Sequence, residues 1–341
     1  KSIGIFPRRF ESCCCRFLES LQMDYVFGDE WKLDRKIGNG SCGEIFLGKH
    51  LTRPEDVAIE LEPVSSGINQ LMWECTCLKK LEGVPGFPRV KWYGVKGGFY
   101  VMVVELLGQT IHQLFVSCKK TFTEKCILML AEQALGRIEA VHSQHLIHRD
   151  IKPDNFLVGT GAKSTSIYLI DFGLAKRFKH PKTKQHIAYI QEKGFTGNQR
   201  FSCRCEVLGI LQSSQHDFGT LGYLLVYLMK GALPWEGLKR EDVAKAKVHT
   251  SAEELCAGLP SVFTEYLNYV TALGFEEKPD YLYLRNLFRD YFIQSGYEYD
   301  YEFDWKKQGL HSTPYQPLKA TPKPKDKAPI EEAQDNSCLI Y

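Results

Sequence analysis

The sequence predicts an α+β fold of two lobes, a small β-rich one followed by a larger, mainly helical one. Two patterns predict it. From Trp31 to about Leu107 the apolar residues fall in short strand-like runs: Lys36-Ile37 before a glycine cluster, Glu44-Ile45-Phe46-Leu47, Asp56-Val57-Ala58-Ile59 and Tyr100-Val101-Met102-Val103-Val104. One helix interrupts them over 69–81, where Leu71, Met72, Cys75, Leu78 and Leu81 approach helical spacing before Gly83 and Pro85 stop it. Beyond Gly108 the period changes. Ile127, Leu130, Ala131, Ala134, Leu135, Ile138 and Val141 recur at three and four residues after Thr123, a candidate N-cap. The stretches 220–229, 251–257, 260–272 and 280–293 also read as helices.

With 341 residues, one large two-lobed domain or two domains are allowed, and 44% hydrophobic with 25% charged residues excludes a wholly disordered chain. The expected folded unit is 29–305, divided into lobes at about 29–107 and 108–305. Residues 1–28 read as a disordered extension, and 306–341 as a flexible tail holding five of fifteen prolines. Lys and Arg number 43 against 41 Asp and Glu, a net charge of +2, which gives no field that argues for nucleic acid. The longest apolar run, around Leu221 to Met229, is far short of the ~20 residues that span a bilayer.

Lys1 to Gln22 lacks the apolar core of a secretory signal, and twelve scattered cysteines fit reduced thiols in the cytoplasm, with the nucleus as the other compartment. Cys75-x-Cys77 and Cys203-x-Cys205 lack zinc-site spacing, so no zinc is expected there. Cys13-Cys14-Cys15 beside Arg16 are candidates for S-acylation and peripheral membrane attachment, set against inert thiols. The ending Cys338-Leu339-Ile340-Tyr341 lacks a usual last residue for prenylation.

Gly38-Asn39-Gly40-Ser41-Cys42-Gly43 is a G-x-G-x-x-G run between two strands, where backbone N–H groups can approach phosphate oxygens. A strand rather than a helix follows Gly43, which argues against a dinucleotide fold. His148-Arg149-Asp150-Ile151-Lys152-Pro153-Asp154-Asn155 comes later, and Asp171-Phe172-Gly173 follows 21 residues after Asp150. In-line phosphoryl transfer needs a carboxylate to orient and deprotonate a hydroxyl, which Asp150 can do. It also needs oxygen ligands for Mg²⁺, which Asn155 and Asp171 can supply, while Lys152 can neutralise the moving phosphoryl group.

On these motifs the chain resembles the eukaryotic protein kinases, and within them the casein kinase I group, from Trp31 to Trp305. Further shared features are Glu105-Leu106-Leu107-Gly108, Leu233-Pro234-Trp235-Glu236-Gly237-Leu238-Lys239, Glu277-Lys278-Pro279-Asp280-Tyr281 and Tyr301-Glu302-Phe303-Asp304-Trp305. The resemblance implies a bilobal kinase fold, ATP and Mg²⁺, and transfer to serine or threonine near acidic or phosphorylated residues. It implies that Glu105 and Leu107 bind the adenine through their backbone, that Val104 is the gatekeeper and that Ile37 and Ala58 cover the ring. Arg200 and Lys239 would form an anion-binding site. A monomer is expected.

One departure changes the sign of a charge. The third strand should read V-A-I-K, and the chain reads Val57-Ala58-Ile59-Glu60. By the resemblance the missing lysine would hold the α- and β-phosphates and pair with a helix glutamate, here Glu74. A unit pair ~4 Å apart at an effective dielectric near 20 is worth about 4 kcal/mol, so repulsion in place of attraction is a large change. Either Glu60 turns away, one carboxyl takes up a proton, or the helix swings out. Lys36 and Lys49, on neighbouring strands, are candidate substitutes. The segments Asn198 to Val207, Ser214 to Asp217 and His112-Gln113 also depart from the group's pattern, weakening the expected preference for primed sites. The alternative reading is a pseudokinase acting as a binding or scaffold module.

Overall fold

The computed structural model describes residues 25–40, 43–67, 69–180, 182–189, 198–209 and 212–310. The strand-rich lobe is one antiparallel sheet of β1 (Val26–Phe27), β2 (Trp31–Asn39), β3 (Glu44–His50), β4 (Asp56–Pro63), β5 (Val90–Lys96) and β6 (Phe99–Glu105), ordered β1-β2-β3-β4-β6-β5. Strand β5 was not expected from sequence. The sheet begins ahead of the expected boundary at residue 29, because Phe27 pairs with Trp31 and is buried with it. Residues 1–24 of the expected extension, including Cys13 to Cys15, lie outside the described residues.

Successive strand side chains point to opposite faces, and β4 shows what that alternation does. Val57, Ile59 and Leu61 pack with Trp31, Phe46, Val101 and Val103 into the outer core of the lobe. Ala58, Glu60 and Glu62 therefore face the other way. Ala58 joins Ile37, Leu47 and Leu106, and Glu62 accepts a 2.9 Å hydrogen bond from the Leu71 N–H at the start of α1 (Gln70–Lys80). Glu60, between them, is turned toward the second lobe.

The helical lobe is built on α2 (Ile111–Ser117) and α3 (Glu124–Ser143), whose apolar stripe from Cys126 to Val141 is buried as its spacing predicts. Thr123 is the N-cap, its hydroxyl accepting from the Cys126 N–H at 3.3 Å. Asp304 closes the lobe on that cap, accepting from the Thr123 N–H at 2.5 Å and the Thr123 hydroxyl at 3.0 Å. The predicted helices appear as Ser214–Lys230, Ala252–Leu255, Ser261–Ala272 and Tyr281–Gln294. Arg240–His249, weakly amphipathic, escaped the periodicity. Residues 311–341 of the expected tail lie outside the described residues.

Two short antiparallel ribbons belong to the second lobe. One pairs Leu146–Ile147 with Lys176–Arg177, and the other pairs Phe156–Val158 with Ile167–Leu169. Each ribbon thus contributes an end to the segments 148–155 and 170–175, which are held side by side. Among the described residues no helix is long and apolar enough to cross a membrane.

Candidate active site

Between the lobes lies a cleft of about 720 Å³. Ile37, Gly38 and Gly40 form its roof, Val104 to Leu107 its wall, Leu157 and Ile170 its floor, and Glu60, Glu74 and Met102 its back. Lys152, Asp154, Asn155 and Asp171 stand at its mouth. The β2–β3 turn is closed by a 2.8 Å hydrogen bond from the Gly40 N–H to the Gly43 carbonyl. A Cβ at Gly43 would sit 1.8 Å from the Leu61 carbonyl oxygen, which explains glycine there; Gly43 itself does not line the cleft. A Cβ at Gly40 would come within 2.4 Å of Glu60 Oε1, so the glycine roof rests directly over that carboxyl.

In the wall, Glu105 is held by contacts of its own. Its Oε1 accepts from Lys163 Nζ at 2.6 Å, and its N–H donates to the Arg89 carbonyl at 3.0 Å. A slot lined by Ile37, Ala58, Val104, Leu107, Leu157 and Ile170 suits a heteroaromatic ring.

At the mouth, Asp150 Oδ2 accepts from Lys152 Nζ and, at 3.1 Å, from Asn155 Nδ2. Asn155 Nδ2 also donates to the Asp150 carbonyl at 2.8 Å, which fixes the amide so that its Oδ1 is the atom left for a cation. Asp171 adopts a positive φ of 65°, and Phe172 after it is buried against the rings of His148 and Phe87, at centroid separations of 4.9 and 6.0 Å. Asp171 thereby faces the cleft while Phe172 anchors below it. A carboxylate and an amide oxygen at one edge are a donor set for a hard divalent cation, so the residues present fit Mg²⁺.

A buried Asp217 positions this mouth, a role the sequence reading missed. It accepts from the His148 N–H at 2.8 Å, the Arg149 N–H at 2.9 Å and His142 Nε2 at 2.9 Å. Burial alone would raise its carboxyl, but the His142 hydrogen bond and charge hold it below the ordinary value. Asp217→Asn turns an NH₂ toward one of these N–H donors. Urea unfolding is expected to show a loss of about 3 kcal/mol.

The back of the cleft settles which way the Glu60 conflict resolves. Glu60 neither turns away nor meets a displaced helix, since it and Glu74 both line the cleft and Glu74 is only 8% exposed. Burial, with Asp171 and Glu62 adding repulsion, pushes Glu60 up to about 8. Burial and then Glu60 and Asp171 push Glu74 well above the ordinary carboxylate range too, although the backbone N–H groups of Phe172 and Asp171 donate to it. Two acids therefore share the site by holding protons at neutral pH. Helix α1 stays in place through those two donors and through a 2.7 Å hydrogen bond from Trp73 Nε1 to the Ala175 carbonyl. Neither candidate substitute reaches in. Lys36 pairs with Glu44 and Lys49 with Asp34 at 2.8 Å, and neither lines the cleft.

A family model for the protein kinase domain matches residues 31–268. The chain belongs to the protein kinase family. Kinase domains generally bind ATP with Mg²⁺ and act on protein substrates, and this kinase domain has the mixed helix and sheet content of the bilobal fold.

Outside the cleft of this kinase domain, Arg200 is half engaged. Its guanidinium pairs with Glu236 at 3.6 Å and lies 5.7 Å from the Tyr227 ring. Lys239 is exposed at the N-cap of the Arg240–His249 helix. Beneath that helix Lys247 is buried, donating to the Gln199 carbonyl at 2.6 Å, the Ser202 carbonyl at 2.7 Å and the Ser202 hydroxyl at 3.0 Å. Burial pulls its ammonium down to about 7, against 10.5 for a free lysine. The unfolded chain thus binds a proton that the folded chain releases between these values, so this group makes stability rise with pH from 7 to 10.5. Lys247→Met is expected to flatten that rise in urea unfolding across the same window.

Proposed function

We propose that the chain is a casein kinase I-like serine/threonine protein kinase. It transfers the ATP γ-phosphate to hydroxyls near acidic or phosphorylated residues, as a monomer in the cytoplasm or nucleus. The observation that carries this reading is the convergence of Lys152 and Asn155 on one oxygen of Asp150. That leaves Oδ1 to accept the proton of an incoming alcohol. ATP with Mg²⁺, when bound, supplies the transferable phosphoryl group and offsets its charge. Asn155 and Asp171 would hold the cation, the backbone of Glu105 and Leu107 the adenine, with Val104 behind it and Ile37 and Ala58 above. Lys152 brings positive charge to the reacting edge, and Arg200 with Lys239 would receive an acidic or phosphorylated flank.

The pseudokinase reading rests on Glu60, which puts a carboxyl where the family has a phosphate-binding cation. Radiolabel transfer from ATP to serine, threonine and tyrosine peptides with acidic or phosphorylated flanks separates the two. Transfer to serine or threonine that Asp150→Asn abolishes supports the enzyme. No transfer by the native chain or by Glu60→Lys, with both stabilised thermally by Mg²⁺–ATP, supports the binding module.

A further inference from the structure

Three side chains that the cleft does not use meet on the segment just after Arg200. Cys203 and Cys205 come together at the start of the short helix Arg204–Val207, and the fold brings His216 to them. One ligating atom of each lies within 4.8 Å of the others. Cysteine spacing alone does not reveal His216, and the histidine itself speaks against a metal. Its Nδ1 accepts the Ser213 N–H at 2.9 Å, which places the ring proton on Nε2 and leaves neither nitrogen with a lone pair to give.

The two sulfurs have unequal surroundings. Cys203 is buried, and a Cβ at Gly219 would come within 2.9 Å of its Cβ. Cys205 is only partly covered, and its Sγ donates to Gln215 Oε1 at 3.7 Å. Gln215 is oriented for this because its Nε2 donates to the Val270 carbonyl at 3.0 Å. The Cys203 thiol also donates to Cys205, which together with Arg204 lowers Cys205 to about 7 despite burial, while burial raises Cys203 well above the usual thiol value. Cys75, Cys77, Cys118, Cys126 and Cys256 are buried and shifted upward by that burial. Among the described cysteines the reactive geometry is therefore confined to this pair.

We propose that Cys205 and Cys203 form a hydroperoxide-sensitive dithiol, with Cys205 the attacking and Cys203 the resolving sulfur. The Cys205 thiolate attacks the peroxide O–O bond, giving a sulfenic acid and hydroxide. The Cys203 sulfur then displaces the sulfenic hydroxyl, its proton leaves with that hydroxyl as water, and an S–S bond forms. Peroxide is reduced and the two thiols are oxidised. A disulfide across one intervening residue is strained and readily reduced, which suits a reversible modification. It would reshape the backbone that Lys247 holds at Ser202 and so reposition Arg200. The inference depends on thiol chemistry alone and stands apart from whether the chain transfers phosphate.

Arg204 lies between the two cysteines, which makes the modification directly readable. The full chain is treated with hydrogen peroxide, blocked with iodoacetamide and digested with trypsin. The expected product is Phe201–Arg204 disulfide-linked to Cys205–Lys230, removed by dithiothreitol and absent in Cys205→Ser. In Cys203→Ser, dimedone should label Cys205. Thermal melts of both variants confirm folding. Both thiols remaining open to iodoacetamide after peroxide, at doses that oxidise other cysteines, would overturn the proposal. So would one bound zinc per untreated chain that is lost together with protection of Cys203 and Cys205.

Discussion

Asp150→Asn is expected to slow phosphate transfer about a thousandfold, with the affinity for Mg²⁺–ATP held within about twofold. Asp150 is 6% exposed and does not line the nucleotide cleft, so the substitution leaves the cleft walls as they are. What changes is the oxygen pair. Oδ2 accepts from Lys152 Nζ and Asn155 Nδ2, and Oδ1 is the acceptor left for an alcohol. An amide in this position cannot take up the alcohol's proton, and its NH₂ opposes the ammonium or the incoming hydroxyl. Steady-state kinetics against ATP and peptide check this, kcat falling while KM for ATP stays put. A loss below tenfold would remove Asp150 from the role of base.

Glu60→Lys is expected to strengthen Mg²⁺–ATP binding and raise phosphate transfer, each by about tenfold to a hundredfold, a range set by putting an ammonium where a neutral carboxyl stands in a partly screened site. The new ammonium would face Glu74 and also Asp171, whose charge adds to burial in raising both Glu60 and Glu74. Glu74 would then ionise and pair with it. The native residue carries its own signature in stability. Glu60 titrates near 8 when folded and near 4.5 when free, so its contribution is fully present below pH 4.5 and is lost as pH rises through 8. Glu60→Gln keeps the shape without the proton, so its unfolding free energy should fall less between these values.

Much of this site was legible in the sequence because its chemistry is written in contiguous strings. Residues 148–155 and 171–173 hold the proposed base, cation ligands and lysine within short loops, and the two ribbons that flank them bring those loops together. The long amphipathic helix was equally plain, since its buried residues recur at helical spacing. Strand β5 was not, because its residues are only partly buried and show no clean alternation. Asp217 was passed over for a different reason. It lies 69 residues from His148, and only the fold reveals that it holds the backbone there. His216 beside Cys203 and Cys205 is a similar case, joined through space rather than spacing. The Glu60 conflict was visible as a wrong-signed residue, but three resolutions were open until strand alternation aimed the carboxyl into the cleft and Glu74 stayed beside it.

Glu60 holds a proton where the nucleotide phosphates would lie. Calorimetric titration of the native chain with Mg²⁺–ATP at pH 7 and pH 9 tests it. Binding should weaken about tenfold at the higher pH and hardly change in Glu60→Gln. Equal affinity of the native chain at both pH values would contradict it.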